Sequence, residues 1–217
     1  MNDNRVIHLP STEIYTCQGV YCLLYGNKTD MSLRTERLIL RNWKESDFGA
    51  FGDMCSDPEV MRFFPSTLSV AESLEVALKI KSLIDSRGWG FWAVEIPDKH
   101  DFIGFVGLHT PKNNLPCSPC VEVGWRLAKA YWGNGYATEA AQAALDFGFD
   151  ALGLQNIVSF TAALNVPSIA VMKKLGMQNT GLDFGHPDVP DASNLKHHVL
   201  YSISSADWRS HITSRSS

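Results

Sequence analysis

No stretch of the 217-residue chain approaches the roughly 18 consecutive apolar residues of a membrane-spanning helix. Nor does the N-terminus carry a basic region followed by an apolar run and a cleavage site. A cytoplasmic protein with no membrane partner is therefore expected. Positive charge is not in surplus: 19 Lys and Arg stand against 23 Asp and Glu, a formal net charge of -4, which argues against a protein that holds nucleic acid mainly through its phosphates. Cysteine is scarce and odd in number, five in a chain long enough to fold without staples, which fits reduced thiols better than a disulfide framework. Cys117 and Cys120 form a C-x-x-C, but no second pair at zinc-ribbon spacing follows it, and Cys17 and Cys22 stand far away in the sequence. Tetrahedral zinc wants four ligands, so no metal is expected.

What the chain does have is 45% hydrophobic residues, enough for one sizeable core and a single domain. Residues 1–30 show no sustained periodicity, and a clear pattern begins just after Met31. The expected division is an N-terminal extension over 1–30, one domain over 31–208 and a C-terminal tail over 209–217. Arg37 to Trp43 reads as a first strand. Glu45-Ser46-Asp47 offers capping oxygens for a helix to about Cys55, and Asp57-Pro58 starts a further helical turn. Ser69 and Glu72 have capping-box spacing ahead of a helix that ends at Gly88.

Gly90–Ile96, Phe102–His109 and Val121–Leu127 are short, rich in aromatic and β-branched residues and separated by turn-forming residues, which predicts an antiparallel meander. From Ala137 to Gly148, small and apolar residues recur on one helical face. Asn156–Thr161 reads as a strand, Ser168–Leu175 as a short helix, and His197–Ser202 as a closing strand. The fold class is α+β (mixed α/β), with no internal repeat.

The informative segment joins the strand Val121–Leu127 to the alanine-rich helix through Tyr131-Trp132-Gly133-Asn134-Gly135-Tyr136-Ala137-Thr138-Glu139. Two glycines leading into a helix N-terminus present free N–H groups and the positive end of the helix dipole, a setting suited to a phosphate anion. The dinucleotide fingerprint fails because Thr138 fills its third glycine position and no acidic residue lies about 20 residues on; the G-K-[ST] of a nucleoside-triphosphate loop is absent.

Trp132-Gly133-Asn134-Gly135-Tyr136-Ala137 resembles the acyl-CoA motif of the GNAT N-acetyltransferase superfamily (Gln or Arg, two residues, Gly, one residue, Gly or Ala), with Trp132 in the leading place. Asn165 through Ser168 to Leu175-Gly176-Met177 resembles a second block of the family, and Leu33–Arg41 resembles the opening of its ribosomal-protein N-terminal acetyltransferase branch, the RimJ/RimL type. The resemblance spans residues 33 to about 203. It implies a GNAT fold, a mostly antiparallel twisted sheet splayed at the cofactor site and flanked by helices. It also implies transfer of an acetyl group from acetyl-CoA to a primary amine, on a protein N-terminus or a small molecule, in a monomer or homodimer.

By the resemblance, the amides of Gly133, Asn134, Gly135, Tyr136, Ala137 and Thr138 hold the CoA diphosphate beside Trp132. The strand backbone at Arg126 and Leu127 pairs with the pantetheine arm, and Asn165 and Ser168 approach that arm from the other side. Glu122 is the candidate base, directly or through water, with a plain strand carboxylate as its alternative; His109 is a second candidate base. The tyrosine that many members use to protonate the thiolate is here Met172, which leaves the Ser168 hydroxyl as the substitute acid or, alternatively, a helix-end residue. His186 and His197-His198 are read as structural or acceptor-pocket residues, and Trp89, Phe91, Trp92, Trp125 and Trp132 chiefly as core. A non-catalytic acyl-CoA-binding module is the competing function, favoured by Met172.

Overall fold

In the computed structural model, the residues described are 7–9, 12–17, 20–25, 32–111 and 114–215. The chain runs through β1 (Ile7–Leu9), β2 (Thr12–Cys17), β3 (Val20–Tyr25), β4 (Ser32–Arg34) and β5 (Ile39–Arg41). Three helices follow: α1 (Asp47–Ser56), α2 (Pro58–Met61) and α3 (Val70–Arg87). The meander β6 (Phe91–Ile96), β7 (His100–His109) and β8 (Glu122–Leu127) leads to α4 (Tyr136–Asp146), β9 (Asn156–Ala162) and α5 (Val166–Lys174). The short β10 (Gln178–Asn179) and β11 (Phe184–Gly185), then β12 (His197–Ser204) and α6 (Ser205–Arg215), complete it.

Among the described residues twelve strands form one sheet; β1 to β9 neighbour one another in chain order, β12 lies beyond β9, and both β10 and β11 pair with β12. Every pairing is antiparallel except β8 with β9, which are parallel and share the single register Glu122 to Val158. The sheet is therefore two blocks joined at one rung.

Its two faces bury different layers, as the alternation of side chains along a strand requires. On one face Phe105 packs with Phe51 of α1, Trp43 and Phe91. On the other, Trp92 meets Phe147, just beyond α4, edge to face at 5.3 Å, and Ala140, Ala141, Ala143 and Ala144 are buried. Alanine has no side chain beyond Cβ, so α4 lies close on the sheet with its N-terminus beside β8.

Local chemistry explains most boundaries. Ser69 and Glu72 form the reciprocal capping box at the start of α3, and Gly88 ends that helix in the left-handed conformation. Asp57 caps α2 through the N–H of Glu59. At α1 the expectation of capping by the Glu45–Asp47 cluster is corrected: Ser46 makes no side-chain cap. Asp47 is instead buried in a fork with Arg41 (2.8 and 2.9 Å) and accepts the N–H of Lys44. Glu95 takes the Nε of Arg41 at 2.6 Å. Removing one member of a buried pair strands the other charge, so Asp47→Ala is expected to cost about 3–5 kcal/mol in urea denaturation.

Three further segments are seen in more detail than the sequence allowed. The strand expected over Arg37–Trp43 is present but shorter, as β5, and pairs with β4 in a hairpin around a turn in which Thr35 Oγ1 accepts the N–H of Leu38. The segment 1–30 supplies β1 to β3 at the edge beyond β4; the remainder of it lies outside the described residues. The stretch expected as a tail from residue 209 belongs to α6, anchored by buried Trp208 and its 2.7 Å bond to Asp146.

Candidate functional site

One rung between β8 and β9 leaves a gap where the strands diverge. The Val158 N–H donates to the Val121 carbonyl at 3.0 Å, and the Ala128 N–H donates to the Ile103 carbonyl of β7 at 2.9 Å. Main-chain groups alternate in direction along a strand, so odd-numbered residues of β8 turn toward the gap and even-numbered ones toward β7. Trp125 and Leu127 thus present their main chain to the gap, whereas Arg126, named with Leu127 in the sequence reading, presents its main chain to β7. The Leu127 carbonyl is already taken by the Trp132 indole N–H at 2.8 Å.

A cavity of about 540 Å³ fills this gap. Glu122, Arg126, Leu127, Trp132, Gly133, Gly135, Tyr136, Ala137, Thr138, Asn165 and Ser168 all line it. Asn134 does not; its side chain donates to the carbonyls of Tyr131 and Trp132 and so braces the loop from within. Any part Asn134 plays toward a ligand belongs to its main chain.

The α4 N-terminus is open. Gly135 is its N-cap with φ 81°, Gly133 has φ 78°, and no side chain caps the first turn. Only glycine adopts this left-handed geometry without strain, and it leaves the N–H groups of the first turn directed outward. A clamp that sequence reasoning missed holds this turn in place. Glu139 accepts from Thr35 Oγ1 (2.6 Å), the Arg37 N–H (2.9 Å) and Arg37 Nε (2.6 Å), while Arg37 Nη1 donates to the Asn134 carbonyl. Its partners lie about a hundred residues apart in sequence, so no local spacing announces it.

Across the gap, Asn165 caps α5: its Oδ1 accepts the Ser168 N–H at 3.3 Å and its Nδ2 donates to Thr161 Oγ1 at 2.9 Å. The helix accordingly starts at Val166, ahead of the Ser168 expected as its first residue. Ser168 is not the cap, and among the described residues its hydroxyl has no hydrogen-bond partner. Met172 is buried in the core, its edge reaching the cavity.

Glu122 faces the cavity with no hydrogen bond or ion pair to its carboxylate among the described residues, and burial pushes its pKa up to about 8. His109 is its cross-strand neighbour, but stacks on Phe91 at 5.3 Å and is not among the residues lining the cavity. Burial, with the cations of Arg87 and Lys79 nearby, lowers its pKa to about 4. Of the two candidate bases, only Glu122 opens on the cavity.

The far wall holds His186 and His198, ring centres 4.8 Å apart, whereas His197 points away toward Asp183. Trp92 is in the core as expected, Trp132 lines the cavity as its place in the glycine motif implied, and Trp125, read chiefly as core, lines the cavity as well. Cys117 and Cys120 are free thiols with sulfurs 3.3 Å apart, and no group of three or more metal-binding side chains is found among the described residues. No described helix is long and apolar enough to cross a membrane.

The model of the acetyltransferase (GNAT) domain matches residues 37–178. The chain belongs to the GNAT acetyltransferase family. This acetyltransferase is 30% identical over 190 residues to the FsC-acetyl coenzyme A-N(2)-transacetylase of Aspergillus fumigatus, covering 83% of this chain and 79% of that one. Its fold matches a GNAT-family acetyltransferase from Bacillus anthracis (TM-score 0.68, 26% identity, 81% and 99% of the two chains). Mycobacterium smegmatis RimJ, solved with CoA-disulfide, shares the fold at TM-score 0.63 and 19% identity, over 82% and 89% of the chains. The mixed α/β architecture and the membership expected from the sequence motifs both hold.

Proposed function

We propose that the protein transfers an acetyl group from acetyl-CoA to a primary amine by direct attack on the thioester. The observation that carries this reading is the single cavity that joins an uncapped helix N-terminus to an unpaired buried carboxylate through a split in the sheet. The first-turn amides of α4 suit a diphosphate, with Arg37 beside them through its bond to the Asn134 carbonyl. The gap-facing main chain of Trp125, and the N–H of Leu127, suit the amides of the pantetheine arm. The name of the Aspergillus fumigatus relative, an acetyl coenzyme A transacetylase acting at N(2), agrees with such a donor.

Attack requires a neutral amine. In its ionised form Glu122 accepts the ammonium proton, directly or through water; the amine nitrogen then bonds to the acetyl carbon as the carbon–sulfur bond breaks. The departing thiolate needs a proton and the newly acylated nitrogen must lose its second one; the Ser168 hydroxyl is free to give the first and take up the second, ending as it began. Ser168→Ala is expected to lower kcat about tenfold, at the weak end for a general acid, with CoA affinity unchanged by calorimetry. A non-catalytic acyl-CoA-binding module is the second reading, favoured by Met172 where the family's tyrosine stands. Thiol release from acetyl-CoA over a broad amine panel separates them: CoA binding without release for any amine would eliminate the enzyme.

A further inference from the structure

Among the described residues Arg126 is a cation without an anion. Its Nη1 donates to the Cys55 sulfur at 3.4 Å, and its Nε is fully buried with no hydrogen-bond partner. Its guanidinium carbon lies 4.1 Å from the Phe64 ring centre and 5.4 Å from that of Phe105. No carboxylate of a described residue pairs with it. Cys55 does not neutralise it, because burial raises that thiol's pKa and keeps it protonated. Leaving a desolvated guanidinium unpaired is costly, and packing it against aromatic rings leaves its edge for an in-plane partner such as a carboxylate. Since Arg126 lines the cavity, that partner can arrive as a ligand.

Arg126 lies on the face of the sheet opposite to the one α4 covers. Its cross-strand neighbour Phe105 packs on Phe51 of α1, whereas α4 covers the opposite face, where Trp92 meets Phe147. Glu122 shares the face of Arg126, with Gly124 between them. An added Cβ at Gly124 would come 3.1 Å from the Phe91 ring, so glycine there lets that ring pack against the strand between the two charges, an apolar contact with no polar side chain in it. Residues four apart on a strand are separated by roughly 13 Å at Cβ.

We propose that Arg126 binds a carboxylate of the acceptor, and that the acceptor is an amino-carboxylate whose reacting amine sits at Glu122 and whose carboxylate lies several bonds away across Gly124. The proposal rests on the acetyltransferase reading and adds the acceptor's chemical class to it.

The test measures CoA release with ω-amino-carboxylates from glycine to 8-aminooctanoate, each beside the alkylamine of the same length, for the wild type, Arg126→Met and Arg126→Lys. For the medium-length acids, KM is expected at least about tenfold below that of the matching alkylamine, an increment of about 1.4 kcal/mol, with no such advantage for glycine. Arg126→Met should erase the advantage by raising KM rather than lowering kcat, leaving alkylamine kinetics and CoA affinity within about twofold; Arg126→Lys should restore part of it. Equal kcat/KM for acids and alkylamines in the wild type, or an equal loss for both in Arg126→Met, overturns the proposal. So does a loss of CoA affinity in both variants, since the guanidinium then serves the donor. Calorimetry of 6-aminohexanoate with the CoA-bound protein separates this failure from failure of the acetyltransferase reading. Arg126-dependent binding without turnover sinks only the enzyme, and turnover of alkylamines without acid binding sinks only the acceptor class. Thermal melts of both variants verify that they are folded.

Discussion

Gly135→Val is expected to weaken CoA binding by at least about 100-fold, measured by calorimetry, while the folded protein persists in circular dichroism. At φ 81° the residue opens α4 in a conformation that a β-branched side chain adopts only under strain. A Cβ there would sit in ordinary contact with Arg37 Nη2 at 3.4 Å, so it is the methyls of valine beyond it that would press on that side chain. Arg37 is bound to the Asn134 carbonyl and to Glu139, so a displaced Arg37 would pull the whole loop out of line. A distortion of about 2.7 kcal/mol suffices for the stated loss. Binding within about threefold of wild type would mean that the diphosphate is held elsewhere, and the mechanism proposed above would lose its starting point.

Glu122→Gln tests the other end of the cavity. CoA affinity should be unchanged, whereas turnover should fall about 10²- to 10³-fold, the usual worth of a positioned base. The pH profile provides an independent reading. Burial raises the carboxyl pKa to about 8, so the base is largely protonated at neutral pH. In the wild type kcat should climb as pH rises through about 8 and be lost tenfold per unit below it. The glutamine variant should have no such limb. If the limb survives in Glu122→Gln, another group takes the proton. His109 would place that limb near 4 instead, because its burial acts on a cation and shifts it in the opposite direction.

The parts of the molecule that could be read from the sequence are those whose causes are local. The capping box of α3, the proline-led turn of α2, the aromatic strands of the meander and the alanine face of α4 each carry their signal within about a dozen residues. The glycine loop belongs with them, because two glycines at a helix start have a meaning of their own. What escaped depends on pairs distant in sequence. Asp47 looked like a helix-capping residue because its true partner, Arg41, is specified only once β5 and α1 pack together. Glu139 carries no role that the sequence announces, because the β4–β5 turn that binds it lies about a hundred residues away. The strands within residues 1–30 are short, and their pairing with one another and with β4 follows no hydrophobic period. The missing anionic partner of Arg126 among the described residues is the extreme case, since the lack of a carboxylate beside it appears only in the packed structure.

The divided sheet has a mechanical consequence. With the Glu122–Val158 rung alone between them among the described residues, the β1–β8 block and the β9–β12 block share little main-chain bonding. A guest lying along the split would act as a suture, bonding to both banks at once and making them unfold together. Slow amide exchange should therefore spread from each bank into the seam when CoA is bound, and the melting temperature should rise with CoA concentration as ligand linkage requires.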